Sequence, residues 1–262
     1  CYLKGIEFRS DVESKSARRT GDTAYSKSFN GGNLDIASSL SPAQLASESK
    51  RLVIGDEIDR WKLSISSEGN PLDILYARTQ AWGDEKRILL ISTPTTEDVS
   101  LMNKLYLDGD RRLYYVACPF CNHFQVLDFY EGDSHGLKWE IKDEKIKKSS
   151  VVYVCESCKK PIKETLKNKM LNSGEWRKTG ESISENIVSY HINGLYSPFI
   201  SWYEMAVDYE KSKNNMIKMQ AFENLKMGRP FKRKGTRPDI HKLLENNIGE
   251  YKAGEVPDGV LY

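Results

Sequence analysis

The sequence predicts an α/β fold: a parallel sheet, then a zinc-ribbon β-hairpin and a helical segment. Three observations point there. A short apolar run, Leu52 to Ile54, ends in the adjacent carboxylates Asp56 and Glu57. A helical pattern opening at Asn70-Pro71 separates it from a second apolar run, Arg87 to Ile91. Two C-x-x-C pairs, Cys118/Cys121 and Cys155/Cys158, come next. Strand, helix, strand in that order implies parallel strands. Paired cysteine knuckles imply a four-sulfur metal site rather than disulfides.

Composition narrows the function classes. The chain has 262 residues, with Lys+Arg 39 against Asp+Glu 37 and a net charge of +2. That balance excludes a strongly basic nucleic-acid wrapper and leaves room for a local basic face. No apolar run approaches membrane length, so a soluble protein with no membrane partner is expected. The chain begins at Cys1, and Cys1 to Ser10 has no signal-peptide pattern. A fragment or an interrupted reading frame, not secreted, is the expectation.

Before the acidic stretch, residues 1–30 hold a short mixed segment, Tyr2 to Phe8, followed by polar residues. Phe29-Asn30-Gly31-Gly32-Asn33 signals a turn. Leu34 to Ala37 alternates and reads as a strand of the same sheet. Ser41-Pro42 starts a helix, with Ser41 as N-cap and Pro42 at its first position. Leu52 to Ile54, with its β-branched pair, reads as a buried strand that stops at Gly55. The helix from Asn70 runs to about Trp82, puts Leu72, Leu75, Tyr76 and Thr79 on one face, and is closed by Gly83. The second strand ends in Ser92-Thr93-Pro94-Thr95, and a helix follows near Glu97 to Leu107.

Asp56 and Glu57 lie at a strand's carboxyl edge, where open α/β sheets bind ligands. Two side-by-side carboxylates there suit nucleotide hydrolysis. Asp56 can hold Mg2+ through its water shell, and Glu57 can orient and deprotonate the attacking water. This is a Walker B pattern with a catalytic Glu; an acidic turn after any buried strand is the simpler alternative. The hydroxyl-rich end of the next strand favours the first reading. Ser92, Thr93 and Thr95 offer short hydrogen-bonding side chains within reach of a Mg2+-bound phosphate.

Each C-x-x-C pair forms a tight knuckle with both thiolates facing one point, and two knuckles make a tetrahedral Zn2+ site. Residues 122–154, between the pairs, are more than a usual ribbon spacer. They hold a charged insertion, Tyr130 to Gly136, and strands at Leu137 to Ile141 and Val151 to Val154. A closed four-sulfur site has no open position, so the metal is structural. His123 then reads as a polar hairpin residue, His135 as solvated, and His191 as a structural histidine.

Residues 159–235 read as mostly helical. Ser201 and Glu204 form a capping box that opens a long helix to about Met227. Trp202, Met205, Ala206, Tyr209, Met216, Met219 and Phe222 form its apolar stripe. Gly228 to Gly235 is basic and rich in breakers, which suits phosphate contacts or a solvated hinge. Ile240 to Tyr251 reads as a short helix, and Gly259 to Tyr262 as the start of a strand.

The order of parts carries a resemblance. The Asp-Glu strand, Ser-Thr-Pro-Thr strand and four cysteines are followed by Gly174-Glu175-Trp176, Leu195-Tyr196-Ser197-Pro198, Ser201-Trp202, Phe222-Glu223-Asn224 and Gly228-Arg229-Pro230. From about Asn30 to Tyr262 this series resembles the lambda-type large terminase subunits of tailed phages. The resemblance implies the C-terminal half of a P-loop (RecA-like) ATPase sheet in residues 1–113. A zinc ribbon would fill 114–165, a helical segment packing on the ATPase 166–228, and a linker towards a nuclease domain 229–262. It implies a motor that uses ATP and Mg2+ to drive double-stranded DNA into procapsids and cuts concatemeric DNA. Its partners would be the small terminase subunit and the portal, in a homo-oligomeric ring in the host cytoplasm. Carried over by position, Asp56 serves Mg2+, Glu57 activates water, and Ser92, Thr93 and Thr95 belong to a coupling motif. Cys118, Cys121, Cys155 and Cys158 build the Zn2+ ribbon.

Two departures qualify the resemblance. The sequence contains no G-x-x-x-x-G-K-[ST] loop, and Gly31-Gly32 lacks the Lys and hydroxyl that would follow. The nuclease's metal-binding acids are expected beyond Tyr262. The piece alone is therefore expected neither to hydrolyse ATP nor to cut DNA. Gly55 stands where an apolar residue is usual. Two rivals remain: a helicase-like ATPase fragment, which would need a second RecA-like domain, and a zinc-ribbon nucleic-acid-binding module without catalysis.

Overall fold

A computed structural model describes residues 25–29, 32–65, 69–129 and 134–232. Several expectations lie outside these residues: those for Cys1 to Phe8, for Asn30-Gly31, for residues 130–133 of the insertion, and for everything from Arg233 to Tyr262.

Strands β1 (Ser26–Phe29) and β2 (Gly32–Asp35) pair antiparallel as a separate hairpin. β2 therefore does not join the parallel sheet as its alternation suggested. Its backbone pairs with β1, and all four of its residues are exposed. Helix α1 (Pro42–Ala46) starts as expected, with Ser41 Oγ accepting the Gln44 N–H.

β3 (Leu52–Asp56) and β4 (Arg87–Ile91) are parallel neighbours, in register from Leu52 opposite Arg87 to Asp56 opposite Ile91. α2 (Pro71–Thr79) connects them, capped by Asn70, and passes into 3-10 turns over Gln80–Glu85 that Gly83, at φ 47 and ψ −123, breaks as expected. The expected burial of β3 is not found. Leu52 is 61% exposed, Ile54 56%, Leu89 50% and Ile91 47%. Period-2 alternation puts these side chains on one face, and no described element covers it. On the opposite face Gly55 is buried. A Cβ there would sit 2.9 Å from Leu90 Cδ2 and 3.2 Å from both Ile58 and Trp61 side chains. The missing side chain admits the turn that folds back beneath it.

α3 (Leu101–Asp108) follows β4, with Ser100 Oγ accepting the Asn103 N–H at 3.0 Å. β5 (Arg112–Ala117) then centres a second sheet. β6 (Phe124–Val126) and β12 (Glu175–Arg177) flank it antiparallel, and β13 (Tyr190–His191) pairs with it parallel. A third sheet has β10 (Val152–Val154) between β7 (Gly136–Lys138) and β11 (Pro161–Ile162). β8 (Ile141–Lys142) and β9 (Lys145–Ile146) form an exposed hairpin.

α4 (Lys167–Asn172), α5 (Trp202–Ser212) and α6 (Met216–Leu225) close one core over these sheets. Val116, Leu127, Leu137, Tyr153, Leu195, Trp202 and Met205 are almost wholly buried in it. Phe129, Trp139, Tyr209 and Phe222 stack their rings at 5.1 to 5.9 Å, each pair adding about 0.5–1.5 kcal/mol beyond area burial. The segment is less helical than expected, because β11, β12 and β13 interleave with the helices. The single long helix is two. Asn215 caps α6 by accepting the Lys218 N–H at 3.0 Å, a side-chain bond that competes with helix continuation. The capping box of α5 is present: Glu204 N–H reaches Ser201 Oγ at 3.1 Å, and Ser201 N–H reaches Glu204 Oε2 at 2.8 Å. Among the described residues no helix is long and apolar enough to cross a membrane.

Candidate functional site

The parallel register brings the acids and hydroxyls to one edge. Asp56 is the last residue of β3 and lies opposite Ile91, the last of β4, so Glu57 and Ser92 leave the sheet side by side. Asp56 and Glu57 are exposed. Glu57 adopts a left-handed conformation, φ 52 and ψ 43, and caps the 3-10 turn Ile58–Arg60. This conformation is costly for a non-glycine residue. The turn is held by Arg60 N–H to Glu57 O at 2.8 Å and by Trp61 Nε1 to Asp56 O at 3.0 Å. Arg60 Nε lies 3.9 Å from the Glu57 carboxylate, both exposed.

The hydroxyls differ in what they do. Ser92 Oγ accepts the Asp59 N–H at 3.1 Å and donates to Thr93 O at 3.2 Å. Thr93 lines a cleft of about 1760 Å3 between β4 and the β5 sheet. Thr95 gives both its N–H and its hydroxyl to Asp59 Oδ2, at 2.8 and 3.1 Å. Asp59 is the residue that sequence reading passed over. The available signal was its spacing, three residues after Asp56, which sets it one tight turn beyond the acid pair.

The four cysteines meet. Their sulfurs all lie within 4.8 Å of one another, and Cys118–Cys158 and Cys121–Cys155 are 3.9 and 3.8 Å apart. A tetrahedron with metal–sulfur bonds of about 2.3 Å has edges of about 3.8 Å, so the cluster fits one four-thiolate ion. A disulfide would need about 2.05 Å.

The two knuckles are built alike. Cys118 N–H bonds His123 O and Asn122 N–H bonds Cys118 O, both at 2.9 Å. Cys155 N–H bonds Lys160 O and Lys159 N–H bonds Cys155 O, both at 3.2 Å. Asn122 and Lys159, each just after the second cysteine, take φ 57 and 56. Without a metal, burial pushes the Cys155 thiol up to about 12. The His123 N–H draws Cys121 down to about 7.

His123 lies outside the sulfur shell, 3.4 Å from Glu156. His135 is half-buried rather than solvated. His191 Nε2–H donates to Met227 O at 2.9 Å, which bears out its structural reading. Arg229 is paired with carboxylates rather than left free for phosphate. Its guanidinium bonds Asp128 Oδ2 and Glu223 Oε2, both at 2.9 Å.

Residues 6–176 match the family model described as phage terminase large subunit gpA, ATPase domain, and residues 187–262 that of the terminase large subunit gpA endonuclease domain. The chain is 29% identical over 225 residues to the terminase large subunit of Escherichia phage lambda, covering 79% of this chain and 34% of that protein. It is 26% identical over 228 residues to the terminase large subunit of Enterobacteria phage P21, covering 80% and 35%. It thus spans about a third of the length of these curated relatives. No solved structure matches. With the ATPase model alone taking in well over half of its residues, the chain belongs to the gpA family of phage terminase large subunits.

Proposed function

We propose that this chain supplies the acid-bearing half of the ATPase, and its metal-stapled ribbon, in an ATP-driven motor that packages double-stranded DNA into procapsids and cuts concatemers. The carrying observation is the shared edge of β3 and β4, where Asp56-Glu57 and Ser92–Thr95 emerge together. Asp56 offers an exposed carboxylate for hydrated Mg2+, which neutralises phosphate charge when bound. Glu57 orients and deprotonates the attacking water, and Ser92, Thr93 and Thr95 read the state of the phosphate. The exposed position of Glu57 leaves it open to water and substrate.

The sequence contains no G-x-x-x-x-G-K-[ST] motif, so no step of nucleotide binding is assigned to it alone. The uncovered face of Leu52, Ile54, Leu89 and Ile91 fits a RecA-like sheet whose face further elements cover. Cys118, Cys121, Cys155 and Cys158 would hold Zn2+ as a structural ion, since four thiolates suit it best and leave no open position. The same proposal divides the chain into an ATPase portion 1–113, a ribbon 114–165, a helical segment 166–228 and a nuclease-ward linker from 229, of which the last two overlap the stretch 187–262 that the endonuclease model takes in. The small subunit, the portal, a homo-oligomeric ring and the host cytoplasm belong to the same proposal.

The test is Asp56→Ala in the full-length gene product that contains these residues. Loss of ATP turnover and packaging with DNA binding largely retained is the expected result. Unchanged turnover would overturn the motor reading in favour of a ribbon that only binds.

A further inference from the structure

Asp59 makes four hydrogen bonds to three residues, Ser92 and Thr95 after β4 and Met102 in α3. Its N–H donates to Ser92 Oγ at 3.1 Å, Oδ2 accepts the Thr95 N–H and hydroxyl at 2.8 and 3.1 Å, and Oδ1 accepts the Met102 N–H at 2.6 Å. Three donors thus converge on one side chain. An ionised carboxylate suits them because both oxygens accept and neither donates, and its bonds are charge-assisted. Met102 is the second residue of α3, so the charge also sits at a helix N-terminus, where a negative group is favoured. Ser100 Oγ serves the neighbouring Asn103 N–H, and the helix start is satisfied by two different segments.

The bond set spans the groups that the proposed reaction needs. Asp59 belongs to the tight turn that Glu57 opens in its left-handed conformation, and it grips Ser92 and Thr95 across the gap to β4. Thr95 is held from the other side as well. Its carbonyl accepts the Phe231 N–H at 2.8 Å, and Phe231 O accepts the Glu97 N–H at 3.2 Å.

We propose that Asp59 is a positioning residue for ATP hydrolysis, whose carboxylate ties Thr95 and the first turn of α3 to the Glu57 turn. It thereby sets the spacing between the water-activating and phosphate-sensing groups. This rests on the ATPase reading above and adds to it a third carboxylate that touches neither water nor phosphate. Asn at this position keeps the shape but turns an N–H2 group towards donors.

Two measurements test it. In the 262-residue chain, Asp59→Asn should speed amide hydrogen exchange at Thr95 and Met102 by at least about tenfold, while the amides of Cys118 and Asn122 keep their rates. In the full-length gene product it should lower kcat on the order of a hundredfold and leave the KM for ATP within about threefold. Asp59→Glu, which restores two acceptors, should recover part of kcat. Faster exchange throughout the chain would reduce Asp59 to a folding role and overturn the inference, as would local loosening with unchanged kcat. Asp56→Ala, assayed in parallel, separates the two failures. If it too leaves turnover unchanged, the ATPase reading has failed and the inference falls with it; if it abolishes turnover while Asp59→Asn does not, the inference alone has failed.

Discussion

The Tyr196 hydroxyl donates to the Tyr114 carbonyl at 2.6 Å and accepts the Leu127 N–H at 2.7 Å. It ties β5 to the end of β6 from within the core, where Tyr196 is 5% exposed. Tyr196→Phe leaves a buried donor and acceptor unpaired and should cost about 1–3 kcal/mol. A lowered urea midpoint with unchanged m-value would bear this out.

The metal-site expectation concerns folding. Cys118→Ser, or a strong chelator, should release one metal ion per chain and unfold the ribbon, because metal binding contributes folding energy there. Metal analysis and thermal melting would read both effects. Unchanged melting would exclude a structural ion.

Gly55 gives a graded expectation. Gly55→Ala should already destabilise, by about 1 kcal/mol, because the new Cβ meets Leu90 at 2.9 Å and both Ile58 and Trp61 at 3.2 Å. Gly55→Val drives branches further into Ile58 and Trp61, and should cost more, about 2–3 kcal/mol by overpacking. Comparing the two denaturation midpoints checks the difference.

His191 predicts a pH dependence. Burial lowers its pKa from 6.5; the Met227 carbonyl opposes that, nearby Arg229 adds to it and Asp128 opposes it. The unfolded chain therefore takes up a proton that the folded chain resists. The contribution to stability is full above about pH 6.5 and is lost as pH falls below that value through the folded pKa. The denaturation midpoint should drop between about pH 7.5 and about pH 5.5, and less so in His191→Gln.

What the sequence made legible was local chemistry. Ser201 and Glu204 announce their capping box, Asn70-Pro71 its helix start, and the cysteine spacing its knuckles, because each depends on a few neighbouring residues. The shared edge of β3 and β4 was legible too, since two apolar runs joined by a helix have little choice of pairing. What escaped depends on distant partners. Leu52 and Ile54 read as buried because period and composition describe a side chain and not what covers it. Asn215 interrupts an apolar stripe that continues on both sides of it. β12 forms because β5 pairs with it, Trp176 lying opposite Tyr114. Asp59 was hidden by Asp56 and Glu57, and only the strand register reveals which hydroxyls it meets.

The parallel bridge between Thr96 and Phe231 has a consequence for heredity. The chain leaves the strand edge at one of these residues and returns at the other, so everything from 97 to 230 hangs from adjacent ends. Insertions with neighbouring ends are the kind that folds tolerate. The codons at its two ends lie far apart in the gene, so exchange of the stretch as one insert takes two distant crossovers, and the incoming Met102 N–H must still meet Asp59.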